Sequence, residues 1–142
     1  MITSASAILT QLETVLGTAI GASNVSHNSY DVLDLCQGSR AIVIRPGPIS
    51  QEPMAFGRTD EAVFTFRAEG FVKHLGNYQT YMNAQWQFID DVMETLSIYD
   101  DLSDSCDNSI CRRVEPLEHE WNIGGNVWQQ INFYVEATVY GR

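Results

Sequence analysis

Val127-Trp128-Gln129-Gln130-Ile131-Asn132-Phe133-Tyr134-Val135-Glu136-Ala137-Thr138-Val139-Tyr140 is the stretch on which the fold turns. Its odd positions Ile131, Phe133, Val135, Ala137 and Val139 are apolar, while even positions such as Asn132, Glu136 and Thr138 are mostly polar. Successive side chains of an extended chain point to opposite sides, so a period of two marks a strand with one face on a core. Residues 61–74 repeat the pattern, with Ala62, Phe64, Phe66 and Ala68 alternating with Val63, Thr65, Arg67 and Glu69. Gly70 predicts a bulge or bend there. Ala41-Ile42-Val43-Ile44-Arg45 is rich in β-branched residues and predicts a short buried strand. Pro46 and Pro48 end it, because proline has no N–H for a ladder. Residues 110–117 predict a fourth strand broken at Pro116, and residues 121–126 a turn in which Gly124-Gly125 is a hairpin signal.

Two segments carry the helical period instead. Ile8, Leu9, Leu12, Val15, Leu16, Ala19 and Ile20 predict a helix over 6–20, with Ser4 or Ser6 as cap and Gly21 as its end. Tyr81, Phe88, Ile89, Val92, Met93 and Leu96 predict a second over 77–96, with Gln87, Asp90, Asp91 and Glu94 pointing away. The order helix, strands, helix, strands predicts an α+β fold in one domain, 1–142. It is a mainly antiparallel sheet of about four strands, with two principal helices packed on one face. Residues 46–60 hold three of the four prolines and predict an extended loop or arm; residues 97–109 predict an acidic loop.

Composition narrows the function classes. The chain has 142 residues, 18 acidic and 8 basic, for a net charge of −10, and is 44% hydrophobic. That is enough apolar mass to build a core, which excludes disorder. No apolar run approaches the roughly 20 residues of a membrane-spanning helix. Lys73 is the sole lysine, which argues against gripping nucleic-acid phosphates. Met1-Ile2-Thr3-Ser4 has no basic leader region, so an intracellular product is expected. Cys36, Cys106 and Cys111 are then expected as free thiols.

The sequence offers no catalytic set and implies no metal or cofactor. Nucleophile-elbow, zinc-protease, phosphate-loop and dinucleotide motifs are all missing. His27, His74 and His119 are far apart, and His74 and His119 are the recruits an enzyme would need. Asp100, Asp101, Asp104 and Asp107 lack the spacing of a calcium loop and predict a solvated acidic surface. Cys106 and Cys111 supply only two of the four ligands of a zinc site. From Asp90 to Glu120 there are ten carboxylates against Arg112 and Arg113, or −8 of the total −10. Two readings of that stretch stand: a solubility surface, or a surface past which DNA slides without being trapped. Trp86 likewise has two readings, packing on the sheet or anchoring a partner.

In this element order the chain resembles the tail-terminator and tail-completion proteins of long-tailed bacteriophages. The matching parts are residues 6–20, 41–45, 62–74, 77–96 and 127–140, so the resemblance spans the chain and is one of architecture and composition. It implies a structural, non-enzymatic virion protein that forms a ring, commonly a hexamer, at the head-proximal end of the tail tube. Its implied partners are copies of itself, the tail-tube protein and the head–tail connector protein, with DNA passing through unbound and no membrane. On this reading the 46–60 arm reaches a neighbour, with Met54, Phe56, Arg58 and Trp86 as interface residues and Asp100, Asp101, Asp104 and Asp107 facing the DNA. An ordinary surface loop is the other reading of the arm. Other neck and minor tail proteins share the plan, and an acidic adaptor domain is a further alternative. The acidic loop with its cysteines departs from the family's plan.

Overall fold

The computed structural model describes residues 5–27, 38–55, 58–123 and 125–140. Helix α1, Ala5–Ile20, buries Ile8, Leu12, Val15, Leu16 and Ile20, which lie three or four residues apart on one face. Gly21 ends it in the left-handed region at φ 101°. A single 3-10 turn, Ala22–Asn24, leads into the short strand β1, Val25–Ser26. Two long strands follow, β2 (Arg40–Ala55) and β3 (Arg58–Lys73). Helix α2, Tyr78–Ile98, starts at Asn77, whose side chain accepts a hydrogen bond from the Thr80 N–H, and buries Tyr81, Phe88, Val92 and Leu96. Strands β4 (Asn108–Ile123) and β5 (Asn126–Tyr140) complete the chain.

The described strands form one sheet in the order β1-β2-β3-β5-β4. Three pairings are antiparallel, and β1 runs parallel to β2 through Val25↔Ile42 and Ser26↔Val43. The fold is therefore α+β with a mixed sheet, in which β1 is too short to leave a period in the sequence. Both helices pack on one face. Their apolar stripes join Ile42, Ile44, Phe66, Val72, Ile131 and Phe133 in a continuous core. On the other face Ala41, Val43, Phe71 and Trp128 form a small second cluster with Ile123 beside it.

Three sequence expectations are corrected. The chain does not leave the sheet at Pro46: β2 continues to Ala55 and pairs with β3, so residues 46–55 and 58–60 of the expected loop lie in two paired strands. The register shifts between Pro46 and Ile49 and again at Pro53, so bulges absorb the prolines. Among the described residues the far edge of β2 carries only β1, at Ile42 and Val43, which leaves the proline segment on a sheet edge where a missing N–H is tolerated. Pro116 is accommodated likewise. It lies on the edge strand β4, which runs on to Ile123 with a shift between Pro116 and Glu120. The acidic loop shrinks to residues 99–107, since α2 extends to Ile98 and β4 begins at Asn108.

Gly70 makes no bulge. The ladders run straight through it, Ile42↔Gly70↔Ile131. What needs the glycine is Phe88: a Cβ at position 70 would lie 2.5 Å from its Cε2. The missing side chain is the space in which α2 seats its largest fully buried residue.

The registers also fix the outline of the sheet. The β3–β5 ladder spans Glu61↔Tyr140 to Lys73↔Trp128. The β2–β3 hairpin continues beyond the first pair, and the β4–β5 hairpin beyond the second. The β2–β3 and β4–β5 ladders thus run furthest at opposite ends of the sheet.

Candidate interaction surfaces

The acidic loop is pinned from within. Leu102 is fully buried in the helix-side core. Leu102, Ser103 and Asp104 all adopt left-handed backbone, at φ 47°, 58° and 66°. Such a run is unfavourable for side chains with a Cβ and persists here because neighbouring contacts hold it. The Asp101 carbonyl accepts from the Ser105 and Cys106 N–H groups at 3.1 and 3.2 Å, and the Asp100 carbonyl from the Ser109 N–H at 2.6 Å. Asp107 donates its N–H to the Thr138 carbonyl at 2.9 Å, and its carboxylate accepts the Tyr140 N–H at 2.6 Å. Asp107 therefore bolts the loop to the end of β5. Asp100 and Asp104 are exposed and carry their charge outward, while Asp101 is half-buried.

The two described cysteines are free thiols. Burial, helped by the Asp101 charge, pushes the Cys106 thiol up to about 11; burial also raises Cys111. Among the described residues no three His, Cys, Asp or Glu side chains gather as a metal site. The chemistry of the described histidines is local. His74 stacks on Tyr81 with ring centroids 4.1 Å apart, and Tyr81 donates its hydroxyl hydrogen to Gln129 Oε1 at 3.2 Å. His27 pairs with Glu13. His119 lies on β4.

Trp86 sits on the solvent side of α2, 61% exposed, so it does not pack on the sheet. Helical spacing places Met82, Asp90, Met93 and Glu94 on that same outer face. Met93, expected in the core from its spacing, is 36% exposed. Of the arm residues, Met54 lies near the end of β2, and Arg58 opens β3 opposite Ala55. Phe56 lies outside the described residues.

The sheet face opposite the helices holds a group that sequence reading missed. The registers Arg45↔Arg67, Arg67↔Tyr134 and Arg113↔Tyr134 set four side chains in one row across β2, β3, β5 and β4. Glu69, buried beside the row, takes Arg67 at 3.0 Å and Arg45 at 3.7 Å. The Arg113 guanidinium lies 4.3 Å above the Tyr134 ring, and Tyr134 donates its hydroxyl hydrogen to Glu115 Oε1 at 3.0 Å. Arg112 pairs with Glu136 at 2.9 Å. All four arginines remain exposed. In sequence they stand on three separate strands, and only the register aligns them. The one legible hint was Arg67, on the polar side of the alternation in residues 61–69.

No protein-family model matches the chain, and a search of curated proteins finds no match. Among the described residues no helix is long and apolar enough to cross a membrane.

Proposed function

We propose that this chain is a structural virion protein that closes as a ring on the end of a phage tail tube and offers its other side to the head–tail connector. The supporting observation is the pair of two-stranded ladders that run furthest at opposite ends of the sheet, one to Ala55↔Arg58 and one to Ile123↔Asn126. A terminator must present two different faces, one matching the last layer of the tube and one refusing further tube subunits. A sheet with unlike ladders at its two ends supplies such a polarity within one small domain. The outward charge of Asp100 and Asp104 suits a lumen that repels the DNA backbone. The mechanism is geometric, with no bond made or broken.

The test is to add the purified protein to tail tubes during assembly and image them by electron microscopy. The expected result is tubes of uniform length with a ring at one end. Tubes that keep elongating with nothing bound at their tips overturn the proposal.

A further inference from the structure

We propose that the arginine row on the outer sheet face of one copy seats the exposed face of α2 on a second copy, so that subunits join head to tail. The inference rests on the ring reading above for closure of the assembly; the contact itself is argued from charge and placement. The chain carries −10 overall, yet four of its eight basic residues, Arg45, Arg67, Arg112 and Arg113, share one sheet face. Among the described residues three carboxylates pair with them, Glu69, Glu115 and Glu136, so the guanidinium groups outnumber the carboxylates they are seen to meet on this face.

The opposite surface has the complementary chemistry. Helix α2 contains no Lys or Arg, and its outer face sets Asp90 and Glu94 beside Trp86 and Met93. Asp100 and Asp104 continue the negative charge into the next loop. Guanidinium groups bind carboxylates through paired hydrogen bonds and stack on indole faces, so one row of arginines meets both kinds of group on α2. Trp86 supplies the apolar anchor that an interface centre needs.

Placement then selects the symmetry. The helices cover one side of the sheet and the arginine row lies on the other. A symmetric dimer through either surface would set arginine against arginine or carboxylate against carboxylate. Only a contact between unlike surfaces neutralises both, and a repeated unlike contact closes into a ring or runs on as a filament.

The experiment is a charge swap read by sedimentation mass in low and high salt, with circular dichroism to confirm folding. The wild-type chain is expected to form multimers in low salt that dissociate as salt rises. Arg113→Glu and Asp90→Arg should each weaken association by about tenfold or more. Mixing the two single variants should restore multimers, because native and swapped contacts then alternate along the assembly, and the double variant should restore them by itself. A wild-type chain that stays monomeric at every concentration reached overturns the inference. So do single variants that assemble like wild type, or a row that takes up duplex DNA in place of a second copy. Tube capping reads the other proposal separately. Both single variants capping tubes normally would remove this contact and leave the terminator reading standing. A working charge swap with uncapped tubes would do the reverse.

Discussion

Gly70→Ala tests how closely α2 is fitted to the sheet. A Cβ at position 70 would lie 2.5 and 2.7 Å from Cε2 and Cζ of Phe88, and 2.9 Å from the Ile131 carbonyl oxygen. Phe88 is fully buried and meets Phe133 edge-on, with centroids 5.6 Å apart, so its ring has no route to solvent. The helix must lift or the strand must shift. Overpacking a close-packed core costs about 1–3 kcal/mol, and contacts to both a ring and a backbone atom put this case at about 3 kcal/mol. In a domain of this size that lowers Tm by roughly 10 °C. Phe88→Leu alone empties part of the same space and costs about 1.5 kcal/mol. If the ring is the obstacle, the new methyl fills the space the ring vacates. The double variant should then lose about 2.5 kcal/mol, against about 4.5 for the sum of the two. Urea denaturation of all four proteins measures this, as midpoint shifts at unchanged m. Additive losses, within about 0.5 kcal/mol, would refute the account, as would a Gly70→Ala protein as stable as wild type.

Three further outcomes are expected. Leu102→Ala should cost about 3 kcal/mol for the lost core side chain. Leu102→Gly should be no worse in thermal melts, because relief of the left-handed backbone, about 1 kcal/mol, offsets glycine's extra chain entropy; a glycine variant clearly weaker than the alanine one would contradict the strain. The Arg40 guanidinium, 2.5 Å from Asp91, holds that carboxyl below its ordinary 3.8. A depressed folded value means that the stabilisation is present above the unfolded value and lost as pH falls through the folded one. Asp91→Asn should therefore melt below wild type at neutral pH, with a gap that closes below about pH 4; a gap that persists in strong acid would show another cause. Cys106, raised to about 11, should stay unreactive towards thiol reagents near neutral pH until the protein unfolds. Because its folded value is the higher one, its share of stability holds up to the unfolded thiol value, 9.0, and declines above it. Rapid labelling of Cys106 in the native protein would show that the loop opens.

Much of the fold was legible locally. Ile8, Leu12, Val15 and Leu16 spell a helix face, and Ile131, Phe133, Val135 and Ala137 a half-buried strand, because burial on one side imposes a period of its own on each element. The prolines misled for an equally physical reason. Proline ends a strand that needs its N–H on both sides, but β2 and β4 reach their prolines on sheet edges, and edge position is a property of the assembled sheet. Gly70 was read as backbone freedom, whereas it answers the volume of Phe88 from an element 18 residues away. For the candidate surfaces, the charge of the 90–120 stretch was plain in the sequence. The bolt made by Asp107 and the exposure of Trp86 were not.

By itself, then, the sequence determined the element types, the two-layer arrangement of helices on one sheet face, and the strongly negative surface. These depend on spacing and composition, which a chain carries along its length. Tertiary structure alone decided how far each strand runs, which strands are edges, and which side chains meet across them. The row Arg45, Arg67, Tyr134 and Arg113 exists only through register, since a shift of one residue in any ladder would send that strand's member to the opposite face.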